Sequence, residues 1–366
     1  MGPTDATDVA STTVPTLVAT GRSDPATPLL VVEGLTVEFP MDQGWATVVD
    51  DVSFHVAAGE SVGLVGESGS GKTVSSLALL GLTSRTGGRV KSGSIRFLGR
   101  ELVRCPEREL RRLRGQEIAM IFQQASRSLN PAYTVGDQIS ETIRRHTGLG
   151  RKAARQRAIQ LLERVRIPNA AQRYRDYPHQ FSGGMLQRVM IAMAVSCEPR
   201  LLIADEPTTA LDVSVQASIL ELLEELQRET GLAIVFVSHD LAVIAEICDR
   251  VVVMYAGQAV EEASAAQLFV TPRHPYTAAL LGSIPRLGVT RRLETIPGRV
   301  PPIGSNLVGC RFHPRCGFAQ AGRCDEIPPP MLPTESGSLA RCLRVDEIEL
   351  RGIDLAEQAA VRREAP

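Results

Sequence analysis

Residues 66–73 read G-E-S-G-S-G-K-T, and Gly66, Gly71, Lys72 and Thr73 fall on the pattern G-x-x-x-x-G-K-[ST]. Glycines at these positions let backbone N–H groups close around phosphate oxygens. A helix starting at the lysine would add its positive dipole end. Lys72 would neutralise β- and γ-phosphate charge, and the Thr73 hydroxyl would ligate Mg²⁺. The apolar run before the loop and the apolar-periodic run after it ("SVGLV", "TVSSLALLGL") supply the strand and helix this chemistry needs.

A second element is "RLLIADEPTTALD", in which Leu201–Ala204 form a short buried strand ending in Asp205 and Glu206. An acid at that strand end can hold the Mg²⁺ shell, and a carboxylate beside it can deprotonate an attacking water. Alone, two adjacent acids are common at ordinary surfaces; beside a phosphate loop they gain meaning. Between the two elements lies "HQFSGGMLQRVMIAMAV". Ser182 reads as a helix N-cap, and two glycines leave N–H groups free, a second anion-binding helix end.

"SGGMLQR", "DEPTTALD" and "VFVSHDL", in this order after "GESGSGKT", resemble the ATP-binding cassette ATPases. Within them, "IFQQASRSLNP", "FSGGMLQRVMIAMAV", "DEPTTALDVSVQ" and "RHPYTAALLGSIP" are similar to the ATPase subunits of peptide and nickel importers. The resemblance covers about 29–345. It implies a general base at Glu206, a γ-phosphate contact at His239 and a Mg²⁺- and γ-phosphate-sensing Gln123. Asp205 takes the Mg²⁺ shell, with Thr73 and Gln123 as Mg²⁺ contacts. Ser68, Gly69, Ser70 and Val74 join the phosphate cradle. Ser182, Gly183, Gly184 and Asp212 would act in trans, on ATP held by a partner cassette, although Asp212 also reads as a helix cap. Phe39 is expected to stack on adenine in preference to Trp45, the chain's one tryptophan; either could be simple packing. Phe181 replaces a usual leucine, and Gln124-Ala125 replace a usual Asp-Pro; the second departure bears on the permease contact.

Strands alternating with helices imply an α/β core with ligand at the strand ends. The expected fold is a P-loop nucleotide-binding cassette: a RecA-like core, an antiparallel β part and a helical subdomain. Strands are expected near 30–39, 47–56, 60–66, 94–98, 117–122, 201–204, 232–237 and 250–263. The expected organisation is a disordered tail at 1–28 and a cassette at 29–285 with its helical subdomain at about 125–185. A Pro/Gly/Cys-rich region at 286–345 and a tail at 346–366 follow. No internal repeat appears, so the chain supplies one cassette.

The composition is 43% hydrophobic and 22% charged, with a formal net charge of −1, which gives no overall drive toward nucleic acid. Arg-rich pieces, "RELRRLRG" and "RKAARQRAIQLLERVR", read as solvated faces of amphipathic helices. No apolar run approaches the roughly 18 residues that span a bilayer. The first residues lack a signal peptide's basic and apolar regions, so the chain is expected at the cytoplasmic face of a membrane, held there by partners.

Four of the seven cysteines, Cys310, Cys316, Cys324 and Cys342, cluster in this last region. No C-x-x-C pair occurs, so the spacing is not that of a zinc ribbon. Four thiolates could hold zinc or an iron–sulfur cluster, or stay free, with His313 an alternative ligand. The resemblance to peptide-importer tails favours a [4Fe–4S] cluster.

Together these expectations describe an ATPase subunit that uses ATP and Mg²⁺ to drive peptide import. Its expected partners are two permease subunits, a second homologous ATPase in a heterodimer and, indirectly, an extracytoplasmic binding protein. Nickel import by the same machinery stands beside this. A non-transport cassette ATPase would be expected to show paired cassettes, long coiled-coil insertions or basic tracts, and none is present. A metal-sensing switch is disfavoured by the intact Glu206 and His239.

Overall fold

The computed structural model describes residues 28–352 except 43, 210, 285–294 and 306. The tail expected at 1–28 therefore lies, apart from Pro28, outside the described residues, as does most of 346–366.

In chain order the strands are β1 (Leu30–Met41), β2 (Gly44–Val56), β3 (Ser61–Val65), β4 (Arg89–Phe97), β5 (Arg100–Glu101) and β6 (Ile118–Ile121). They continue with β7 (Leu201–Asp205), β8 (Ala233–Ser238), β9 (Arg250–Tyr255), β10 (Gln258–Ser264), β11 (Leu332–Pro333) and β12 (Leu339–Ala340). An antiparallel sheet has the order β2-β1-β4-β5, and a mixed sheet the order β11-β12-β10-β9-β3-β8-β7-β6. The run β9-β3-β8-β7-β6 is parallel.

The parallel strands read as continuous apolar runs because both of their faces are covered. In β3, "SVGLV", every residue is buried, as in β7 and β8. Alternate residues enter two different cores. Leu201 and Ile203 join the core under the antiparallel sheet, while Leu202 and Ala204 join the core under the helices.

The stretch 250–263, read as one strand, is a hairpin. Ala256 and Gly257 both take positive φ, 46° and 87°, which turns the chain tightly between β9 and β10. Short helices at Glu107–Leu113, Ala265–Val270 and Pro275–Gly282 carry too few turns to show a helical period in sequence.

Within 125–185 the main helices are Val135–Thr147 and Arg151–Arg164. The first is capped by the Thr134 hydroxyl, which accepts from Asp137 N at 3.2 Å, and ends at Gly148 with φ 72°. The second buries Ala154, Ala158, Leu161 and Leu162, and its arginines stay in solvent, with Arg164 paired to Glu229. In the other Arg-rich piece, Arg114 turns inward and donates to the carbonyls of Leu80 and Gly81 at 2.8 and 3.0 Å.

The Cys-bearing extension does not stand apart. β12 adds to the edge of the main sheet, with Glu261 opposite Ala340 and Glu262 opposite Leu339. Phe312 is 2% exposed and belongs to the helical-side core.

Candidate active site

β3 delivers the chain to the phosphate loop, and the Lys72–Leu79 helix leaves it. Gly71 occupies the N-cap with φ 99°, a conformation that suits glycine. At Gly66, φ is 153° and an added Cβ would fall 2.1 Å from the Met254 carbonyl oxygen. The loop thus lies directly against the end of β9, with no room for a side chain.

Lys72 points into this loop. Its Nζ donates to the carbonyls of Gly66 and Glu67 at 2.7 and 3.0 Å. Burial pulls its pKa down from the usual lysine value, and the carboxylates of Glu206, Asp205 and Glu67 act in the opposite sense. The ammonium borrows backbone acceptors where a phosphate would be a stronger partner.

Asp205, at the end of β7, is 3% exposed and accepts from the Thr73 hydroxyl at 3.3 Å. Burial pushes its pKa up to about 6, with the neighbouring Glu206 charge adding to the rise. A divalent cation beside it would reverse that shift.

Glu206 takes φ 48°, an uncommon backbone for a residue with a Cβ, fixed by its N–H donating to Val237 O at 2.8 Å. This turn carries its carboxylate to three side chains. Gln123 Nε2 and Thr209 Oγ1 donate to Oε2 at 2.6 and 2.9 Å, and His239 Nδ1 lies 3.1 Å from Oε1. Burial acts to raise the Glu206 pKa, but the bonds from Thr209, His239 and Gln123 outweigh it and hold the carboxyl below its usual value. An ionised carboxylate so held can accept a proton from water placed against it.

Ser182 caps the Gly183–Ala194 helix by accepting from Met185 N at 3.4 Å. A Cβ at Gly184 would fall 2.6 Å from Val215 Cγ1, which sets this helix start against the start of the Val213–Thr230 helix. Asp212 stands at the N-cap position of that second helix without a capping bond from its side chain. The structure therefore gathers Lys72, Thr73 and Asp205 in one group and Gln123, Glu206 and His239 in an adjoining one. Among the described residues, no side-chain hydrogen bond joins Ser182–Gly184 or Asp212 to either group.

The structure places the two candidate aromatics differently. Phe39 is partly buried and packs against the core beneath the antiparallel sheet, its ring within 3 Å of where a Gly88 Cβ would stand. A cavity of about 640 Å³ beside the phosphate loop is lined instead by Trp45, Thr47, Val48, Gly69 and Arg311, with the segment Pro301–Ser305. Trp45 is 47% exposed, with the Arg89 guanidinium 3.9 Å over its ring. Sequence reasoning also missed Thr209, whose place beside Glu206 in "DEPTT" is the signal that could have found it. Arg311 was missed too; it pairs with Asp50 and donates to Ala256 O at 2.5 Å.

The four clustered cysteines line one small cavity of about 20 Å³ with Phe312, His313 and His274. Burial pushes the Cys310 thiol up to about 11 and also raises Cys316 and Cys342, with the neighbouring sulfurs adding to each. The four sulfurs line one cavity, and thiolates are the donor type that a four-sulfur centre takes. Among the described residues, however, no group of three or more His, Cys, Asp or Glu is arranged to hold a metal ion. The His313 Nδ1 lies 2.8 Å from the Cys310 carbonyl oxygen, which occupies one of its ring nitrogens.

Residues 49–209 match the ABC transporter family model. Residues 260–324 match the model of the oligopeptide/dipeptide transporter C-terminal region. A putative peptide import ATP-binding protein of Brucella abortus (strain 2308) is 51% identical over 316 residues, covering 86% of this chain and 94% of that protein. A second protein so described from the same strain is 48% identical over 333 residues, covering 88% and 98%. A dimeric ATP-binding cassette in a post-hydrolysis state bound to ADP and Pi superposes with TM-score 0.58 at 26% identity, covering 64% of this chain and 98% of that one. A Clostridium perfringens subunit of the ABC transporter complex cbiONQ superposes with TM-score 0.57 at 26% identity, covering 66% and 90%. The phosphate loop, the acid pair after β7 and these matches agree: the chain belongs to the ABC transporter ATPases, in the branch of the peptide import ATP-binding proteins.

Proposed function

We propose that this chain hydrolyses ATP to drive import of peptides through a membrane permease, acting at the cytoplasmic face of the membrane. The observation that carries this reading is the meeting of Gln123, Glu206 and His239 beside Lys72, Thr73 and Asp205. That is a complete set for in-line attack of water on a γ-phosphate. No described helix is long and apolar enough to cross a membrane, and the reading takes the permease to be two further subunits.

Lys72 leaves its loop carbonyls for the β- and γ-phosphates. Asp205 and Thr73 would hold the Mg²⁺ shell, with Gln123 as a further contact, and the ion would draw charge from the phosphates; Gly66, Ser68, Gly69, Ser70, Gly71 and Val74 complete the phosphate cradle. Trp45, in place of Phe39, stacks on the base. Glu206 takes the proton of the attacking water, and His239 contacts the γ-phosphate. Ser182, Gly183, Gly184 and Asp212 serve the ATP of a second, homologous cassette. Closing on two ATP and reopening after hydrolysis moves the permease, which receives peptide from an extracytoplasmic binding protein. We divide the chain into a cassette at 29–285, with its helical part at about 125–185, and an extension at 286–345.

The four thiols of the extension are assigned to a [4Fe–4S] cluster with a structural role, supported by their convergence on one cavity. Protein purified without oxygen is expected to be brown with absorbance near roughly 400 nm. Colourless, iron-free protein overturns the assignment, and stoichiometric zinc replaces it.

The function is tested by uptake in the native cell, wild type against Glu206→Gln, with labelled dipeptide, a longer peptide and Ni²⁺ in parallel. Loss of peptide uptake supports the reading. Loss of Ni²⁺ uptake alone replaces peptide by nickel, and no loss overturns both.

A further inference from the structure

Glu67, inside the phosphate loop, is held at three atoms. Its N–H donates to the Tyr276 hydroxyl at 2.9 Å, and its carbonyl accepts from Lys72 Nζ at 3.0 Å. Its carboxylate accepts from Arg315 Nη1 at 3.0 Å. Arg315 comes from the Cys-bearing extension, in the one-turn segment His313–Arg315 between Cys310 and Cys316.

This arginine is not a surface ion-pairing residue. It is 8% exposed, its Nε donates to Pro297 O at 2.8 Å, and its Nη1 also reaches the Tyr255 hydroxyl at 3.2 Å. Phe312 packs edge-on to Tyr255 and Tyr276 with ring centroids 5.2 and 5.3 Å away. The side chain next to Cys316 is therefore wedged through an aromatic layer onto the ATP-binding loop. A buried guanidinium cannot lose its carboxylate without a large penalty, so loop and extension are bound to move together.

We propose that Arg315 is a positioning residue of the nucleotide site, tying the Cys310–Cys316 loop to Glu67 so that the thiol-lined cavity and bound ATP influence each other. The proposal rests on the ATP-site reading above and gives the extension a regulatory connection to hydrolysis. Coupling of this kind is reciprocal: what ATP does to the thiols, the state of the thiols does to ATP.

Equilibrium dialysis of a non-hydrolysable ATP analogue against the full chain tests it, using wild type, Arg315→Gln, Glu67→Gln and the double variant. Each single change is expected to weaken binding at least about five-fold. The double variant should be no weaker than the worse single, because one interaction is removed twice. Arg315→Lys should recover part of the affinity by restoring the charge. Arg315→Gln binding as tightly as wild type, or additive losses in the double variant, would overturn the proposal. A wild type that binds no analogue sinks the ATP-site reading instead.

Should Arg315→Gln fail to fold, Glu67→Gln still breaks the same pair. A second measurement needs no variant: with and without the analogue, it follows alkylation of Cys310 and Cys316 by N-ethylmaleimide, mapped by mass spectrometry, if the purified protein is iron-free, or the rate of iron loss to a chelator if it is brown. A rate change of about five-fold or more is expected, and equal rates overturn the coupling.

Discussion

Gln123 Nε2 donates to Glu206 Oε2 at 2.6 Å, joining the second residue after β6 to the first residue after β7. The carboxylate thus has a donor from the neighbouring strand end before any phosphate arrives. Glu206→Gln should lower kcat by about 10²–10⁴ while nucleotide affinity is kept, since the change preserves shape but removes the proposed base. Single-turnover hydrolysis beside analogue binding separates the two effects.

Removing the partner should move the pH profile. The bonds from Thr209, His239 and Gln123 keep the Glu206 pKa down against burial. In Gln123→Ala one of those bonds is lost, burial gains, and the pKa rises. The acid limb of the kcat/KM profile should therefore shift to higher pH. An unmoved limb would show that another group sets it.

Asp205 carries a stability cost in the absence of a bound cation. Its folded pKa, about 6, lies above the unfolded value, so between those values the native chain binds more protons and rising pH weakens the fold. The cost is complete above about pH 6. Without Mg²⁺, Asp205→Asn should raise stability at pH 7–8 by about 1–3 kcal/mol, since its Oδ1 can still accept from Thr73. The gain should vanish near pH 4, and hydrolysis should be lost throughout. Thermal unfolding at the two pH values, with EDTA present, measures it.

Gly66→Ala should fail for a steric reason. The added methyl would stand 2.1 Å from a backbone oxygen at the end of β9, which cannot turn aside as a side chain could. A loss of about 2 kcal/mol or more, together with loss of ATP binding, is expected from urea titration and dialysis.

Trp45 provides its own reporter, because it is the chain's sole tryptophan. Its emission should change when ATP is added, and Trp45→Ala should weaken ATP binding with little effect on stability. Phe39→Ala should do the opposite and cost about 3–5 kcal/mol at most, less for its partial exposure. Equal effects on ATP affinity would return the stacking role to Phe39.

What the sequence determined by itself is the chemistry that lies on a few consecutive residues. A phosphate loop is a backbone shape fixed by glycines at set intervals, so Gly66, Gly71, Lys72 and Thr73 are legible without neighbours. The acid pair is legible because a wholly apolar run before it announces a strand buried on both faces. The Arg-rich helix at 151–164 could be read as solvated from its apolar spacing alone.

Tertiary structure decided everything that depends on direction across strands and on long-range meeting. That Trp45 and not Phe39 lines the cavity depends on which residues the fold brings beside the phosphate loop. Thr209, His239 and Gln123 reach one carboxylate only through a left-handed turn at Glu206 and the order of β6, β7 and β8. The extension reads as a Cys-rich appendage because it has little apolar content of its own. Its order comes from borrowed partners: the edge of β10, the tyrosines under the phosphate loop, and Glu67, which Arg315 reaches from 248 residues away.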